Sequence, residues 1–107
     1  MNWLEVVRRC FESDQVLYSA HARREMLAEE FGPILDQEVY QAICGGELIQ
    51  AYPDDRPYPS VLVLGRTETG RQLHVVCAYD REGDRVVVVT VYQPDPLLWT
   101  DSRTRKP

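Results

Sequence analysis

Two histidines stand in this 107-residue chain, one within Tyr18-Ser19-Ala20-His21-Ala22-Arg23-Arg24 and one within Gly70-Arg71-Gln72-Leu73-His74-Val75-Val76. Imidazole is the side chain whose ordinary pKa lets it take or give a proton near neutral pH, so two of them beside arginines can carry acid–base chemistry. They can equally serve as hydrogen-bonding groups. Arg24 and Glu25 follow His21 by three and four positions, the spacing that places side chains on one helical face. In a catalytic reading Glu25 fixes the imidazole tautomer while Arg23 or Arg24 neutralises a phosphate, setting a general base beside an anion clamp. In a structural reading the same residues form a surface ion pair contributing about 0.2–0.5 kcal/mol.

His74 lies in an apolar run that reads as a strand, where it shares a face with Val76 and Ala78; Val88, Thr90 and Tyr92 share a face on the next strand. The hairpin between them decides whether His74 meets Tyr92. A three-residue loop, Glu82 to Asp84, sets the two directly opposite, whereas a four-residue loop from Arg81 shifts the register by one and separates them. Both registers are open to the sequence. An imidazole or phenol hydroxyl buried without a partner costs about 1–3 kcal/mol, so mutual hydrogen bonding is the plain alternative to catalysis. Arg56 and Tyr58 share a proline-rich loop with Asp54-Asp55, an acidic pair suited to satisfying a turn more than to holding a cation. No nucleophile motif, phosphate-binding glycine loop or metal-ligand spacing is present, which argues against covalent hydrolysis and leads us to expect no metal and no cofactor.

The elements that would position these groups divide the chain in two. Asn2 and Glu5 resemble a capping box ahead of Trp3, Val6, Val7, Cys10 and Phe11, which repeat at helical spacing to about Ser13. Ser19 caps a second helix running to about Glu30, ended by Phe31-Gly32-Pro33. A third starts with Asp36 as N-cap and Leu35 and Tyr40 as a hydrophobic staple, buries Val39, Ala42 and Ile43, and stops at Gly45-Gly46. Four strands follow, at Leu48–Tyr52, Val61–Leu64, Leu73–Tyr79 and Val86–Tyr92, joined by turn-rich segments. This order predicts an α+β domain: about three N-terminal helices packed on one face of an antiparallel sheet of about four strands, with a site on the other face. Residues 1–100 form the single domain. Residues 101–107 form a polar, basic C-terminal tail.

Composition narrows the function. The chain carries a formal charge of −5 with a pI near 4.9, and 44% of its residues are hydrophobic. That content excludes a disordered chain, and no apolar run approaches the roughly 20 residues of a membrane span. The start of the chain lacks the pattern of a signal peptide, so a cytoplasmic location is expected. Cys10, Cys44 and Cys77 are odd in number and isolated, which argues against a disulfide framework or a zinc site. A nucleic-acid binder usually shows a basic surface. Here positive charge clusters at Arg8-Arg9, Arg23-Arg24 and the Arg103 to Lys106 tail, enough for a local cleft on an acidic body.

The segment Tyr18-Ser19-Ala20-His21-Ala22-Arg23, the stretch from Gly46-Glu47-Leu48-Ile49 to Tyr52-Pro53-Asp54-Asp55-Arg56-Pro57-Tyr58-Pro59-Ser60, Leu64-Gly65, Leu73-His74-Val75-Val76-Cys77-Ala78 and Thr90-Val91-Tyr92-Gln93-Pro94-Asp95-Pro96 together resemble the bacterial family called domain of unknown function 4258, over about residues 17–100. That family is similar to a branch of the RelE/ParE/MqsR-like toxin superfamily, whose fold sets helices on a small antiparallel sheet. The resemblance implies a toxin of a type II toxin–antitoxin pair, acting on RNA as a metal-independent endoribonuclease, with a cognate antitoxin that in this family is often a small MqsA-like zinc-finger protein. It maps His21, Arg23, His74 and Tyr92 onto matching family positions. Some members carry Arg where this chain has Glu25, and the acidic charge here suits free RNA, a nucleotide or a protein target better than a ribosome.

The leading expectation is therefore an endoribonuclease with His21 and His74 as general base and acid in either order, Tyr92 as a positioning hydroxyl, and Arg23, Arg24 and Arg56 as phosphate contacts. It requires the two imidazoles to line one concave wall. The competing expectation is a non-catalytic protein-binding module, a degenerate toxin whose histidines are structural. Monomer and dimer both remain open.

Overall fold

The computed structural model describes residues 2–107. Helix α1 spans Trp3–Glu12, and the Asn2 side chain accepts from the Glu5 N–H at 3.2 Å, the expected cap. Its Val7, Cys10 and Phe11 are buried. Strand β1, Val16–Tyr18, leads into α2, Ala20–Ala28. Ser19 caps α2 by accepting from the Ala22 N–H at 3.0 Å, and the helix stops two residues short of Glu30. Helix α3 covers Asp36–Cys44 with Val39, Ala42 and Ile43 inward. Its N-cap is Leu35 and not Asp36: the Glu38 carboxylate accepts from the Leu35 N–H at 3.0 Å, so Asp36 already lies in the first turn. Leu35 is exposed, and Tyr40 packs edge-on against Phe11.

Strands β2 (Glu47–Tyr52), β3 (Ser60–Arg66), β4 (Gln72–Asp80) and β5 (Arg85–Tyr92) form the antiparallel run read from the sequence. The sheet nevertheless has five strands, in the order β1-β5-β4-β3-β2, and it is mixed. Strand β1 pairs parallel with β5, Val16 against Val86 and Tyr18 against Val88. Three residues wedged between two helices carry too little alternation to announce a strand. They form one because the outer edge of β5 offers a row of unpaired backbone groups.

Two cores result. Val61, Val63, Leu73, Val75, Cys77, Tyr79, Val86, Val88 and Val91 join the buried residues of the three helices on one face. Leu62, Leu64, His74 and Ala78 are also buried but belong to the opposite face. There the chain end folds back as a hairpin of β6 (Trp99–Thr100) and β7 (Thr104–Arg105). Residues 104–105 of the polar tail thus pair with the strand that carries Trp99, which is buried.

Gly65 sets how closely α3 lies on β3. A Cβ there would fall 1.9 Å from the Ala42 carbonyl oxygen, an overlap that no side chain could relieve by turning aside. Arg71 ties the loop before α3 to the sheet end, donating to the Gly32 carbonyl at 2.7 Å, the Pro33 carbonyl at 3.1 Å, the Glu38 carboxylate and Gln93.

Candidate functional site

The β4–β5 hairpin resolves the register by a route outside both alternatives. Strand β4 ends at Asp80 and β5 begins at Arg85, so the loop is the four-residue one, and Asp80 pairs with Arg85. Alone that would set His74 opposite Val91. A β-bulge intervenes: Cys77 pairs with Val88 and Val76 with Thr90, leaving Val89 unpaired, and from there His74 faces Tyr92. The extra residue also parts the predicted Val88–Thr90–Tyr92 face, sending Val88 into the helix-side core while Tyr92 meets His74. Ser19 steadies the bulge, because its hydroxyl donates to the Val89 carbonyl at 3.0 Å while its oxygen caps α2.

His74 has no exposed surface. Its Nε2 lies 2.5 Å from the Ser102 carbonyl oxygen and its Nδ1 3.0 Å from the Tyr92 hydroxyl. A carbonyl only accepts, so Nε2 carries the hydrogen, and in the neutral ring Nδ1 then accepts the Tyr92 proton. The Trp99 ring stands edge-on to the imidazole with centroids 4.4 Å apart. Burial pushes the His74 pKa down, opposed by the Ser102 carbonyl, and the neutral ring is favoured. For Tyr92 burial acts upward, with Tyr52 adding, Arg105 opposing and Glu25 adding.

His21 is exposed on α2 with Nε2 3.3 Å from Glu25 Oε1, the contact expected from their spacing. Glu25 Oε1 also accepts from the Val91 N–H at 3.0 Å, and Glu29 Oε2 from the Gln93 N–H at 3.3 Å. Strand β1 ends before these positions, so the two carboxylates take its place along the open edge of β5. Burial raises the Glu25 pKa against the pull of the Val91 N–H and of His21. The two histidine motifs thus converge on the end of β5, joined through Glu25, Val91 and Tyr92. They do not line one open wall: His21 rides on α2, on the helix side of the sheet, whereas His74 belongs to the opposite face and is sealed there by the tail.

The arginines part company. Arg23 is held by the Asp36 carboxylate through both terminal nitrogens, and its guanidinium lies 4.0 Å from the Tyr18 ring centroid. Arg24 is exposed on α2. Arg56 sits in the β2–β3 loop at the Ala78 end of the sheet, four positions along β4 from His74. Asp55 in that loop accepts from the Ser60 hydroxyl at 2.6 Å, so this half of the acidic pair serves the turn.

Among the described residues no group of three or more His, Cys, Asp or Glu side chains is arranged to hold a metal ion. Nor, among the described residues, is any helix long and apolar enough to cross a membrane. A groove of about 920 Å³ at the hairpin end, lined by Trp3, Tyr58, Tyr79, Arg81 and Arg85, contains none of the predicted site residues. Of Leu97, Leu98 and Trp99, the apolar residues that the sequence offers for packing after Pro96, only Trp99 is buried, and the sequence carries no signal for the parts taken by Ser102 and Arg105.

Residues 18–93 match the family described as Domain of unknown function (DUF4258). No curated protein and no solved structure matches the chain.

Proposed function

We propose, for a chain that belongs to the DUF4258 family through residues 18–93, a cytoplasmic toxin of a toxin–antitoxin pair that cleaves RNA without a metal. The reaction is attack of a ribose 2′-oxygen on the adjacent phosphorus with loss of the 5′-oxygen. His21, exposed and braced by Glu25, takes the 2′-hydroxyl proton. Arg24 lies on the same helix to meet the phosphate. In this reading Tyr92, whose hydroxyl is oriented by the neutral His74 ring, returns a proton to the leaving oxygen and is reprotonated from solvent.

The observation that supports this reading is Glu25, which touches His21 and reaches the Val91 N–H beside Tyr92, at one end of β5. The test is purified chain with defined single-stranded RNAs. His21→Ala is expected to lower the cleavage rate by about 10²- to 10⁴-fold with the fold retained. Undiminished cleavage in both His21→Ala and His74→Ala overturns the assignment.

A second reading has its own support. Complete burial of His74, with both ring nitrogens bonded inside the protein, suits a protein-binding module in which the imidazole is structural. It predicts that His74 substitutions lower the melting temperature, and that induced expression without an antitoxin leaves growth and transcripts intact. Growth arrest with cleaved transcripts favours the enzyme, for which the partner is a cognate antitoxin.

A further inference from the structure

Residues 94–107 lie outside the matched family segment, yet they complete the surroundings of His74. Their hold on the sheet is local. Trp99 is buried against the imidazole, the Ser102 hydroxyl donates to Gln72, and Arg103 pairs with Glu47 at 2.6 Å. Leu97 and Leu98 are exposed, and β6 and β7 pair only with each other. The Ser102 carbonyl reaches Nε2 because Asp101 and Ser102 both adopt positive φ, 51° and 61°, which costs non-glycine residues free energy. A hollow of about 160 Å³ remains between Glu47, Gln72 and Arg103, so the hairpin bridges the sheet there without filling it.

We propose that residues 94–107 are a strap that stands in for a ligand on this face. Trp99 occupies the slot of a flat ring, and the Ser102 carbonyl occupies the slot of an oxygen acceptor for His74 Nε2–H. Lifting the strap exposes Gln72, His74 and Tyr92 as a cleft for a planar ring bearing a carbonyl oxygen, the chemistry of an unpaired nucleobase. Only the choice of a nucleobase rests on the RNA reading above; the strap itself rests on the contacts of Trp99 and Ser102. Arg103 and Arg105 leave with the strap, which frees Glu47 as well as His74.

The experiment measures modification of each histidine by diethylpyrocarbonate in the full chain and in Trp99→Ala, with exposed His21 as the internal reference. His74 is expected to react at least about 100-fold more slowly than His21 in the parent, and within about 10-fold of it in Trp99→Ala, the difference between a sealed ring and a locally opened one. Millimolar single-stranded oligouridine is expected to restore slow reaction at His74 in the variant. Unchanged protection of His74 in Trp99→Ala overturns the strap, and an absence of protection by oligouridine overturns the nucleobase as its occupant. Should Trp99→Ala fail to fold, hydrogen exchange in the parent decides. The Trp99 and Lys106 amides exchanging about 100-fold faster than those of Val75 and Cys77 support a strap, and equal rates overturn it. None of these readouts needs RNA cleavage, so a protein that cuts nothing and still passes them refutes the enzymatic reading alone.

Discussion

His74 and Tyr92 face each other across β4 and β5 only because Val89 is left out of the ladder between them. The pair is therefore a product of the bulge as much as of the hairpin. Tyr92→Phe keeps the ring and removes the one hydrogen that the neutral Nδ1 accepts. Leaving that nitrogen unpaired in a fully buried ring is expected to cost about 1–3 kcal/mol in denaturant unfolding. A variant as stable as the parent would show that water reaches Nδ1.

Ser19 does two jobs with one hydroxyl, capping α2 and donating to the bulged Val89 carbonyl. Ser19→Ala loses both and is expected to destabilise the chain by about 1–2 kcal/mol from the cap alone. Ser19→Asp separates the two roles, because a carboxylate accepts from the Ala22 N–H but cannot donate to Val89. It should recover only part of the loss, while Ser19→Thr recovers most of it. Equal stability of the Asp and Thr variants would remove the hydroxyl from the account of the bulge.

The same residues show how far the sequence can be read. Helices α1 and α2 are legible because their caps, Asn2 and Ser19, are local signals that the structure uses as such. The four antiparallel strands are legible because their apolar runs are long and bounded by turn residues. Strand β1 is not, since Val16–Tyr18 acquires its conformation from β5, 70 residues away in the pairing of Val16 with Val86. The contact of His21 with Glu25 follows from helical spacing, whereas that of His74 with Tyr92 needed a bulge that is steadied by Ser19, from a distant part of the sequence. Ser102 was beyond reach altogether, because it acts through its carbonyl, and a backbone group leaves no mark on residue type.

Acid should loosen the fold through His74. Burial holds its pKa below the ordinary histidine value of about 6.5, so in the range between the two the unfolded chain binds a proton that the folded chain does not. Stability from this group is complete above about pH 6.5 and is lost as pH falls through the folded value, with one proton limiting the slope to about 1.4 kcal/mol per pH unit. The melting temperature is expected to fall between about pH 7 and pH 5. His74→Gln, an amide that can still donate to the Ser102 carbonyl, should flatten that stretch of the profile. An unchanged slope in the variant would assign the acid sensitivity to other groups.

Gly65 offers a test of helix-on-sheet packing independent of the site. Its neighbours on β3, Val63 and Leu64, are buried, and the carbonyl of Ala42 on α3 approaches it so closely that an added methyl would lie 1.9 Å from that oxygen and 2.4 Å from its carbon. Both are backbone atoms, and Ala42 is fixed on the helix face that also buries Val39 and Ile43. The methyl can be admitted only by moving α3 away from β3 as a unit. Forcing extra volume into a packed core typically costs about 1–3 kcal/mol, and a backbone clash puts Gly65→Ala at or above the top of that range. The expected result is a denaturant midpoint well below that of the parent with an unchanged slope. Gly45→Ala, where a Cβ meets nothing within 4 Å, is the control and should stay much closer to the parent. Equal losses at the two positions would mean that α3 rides on the sheet more loosely than the Ala42 contact requires.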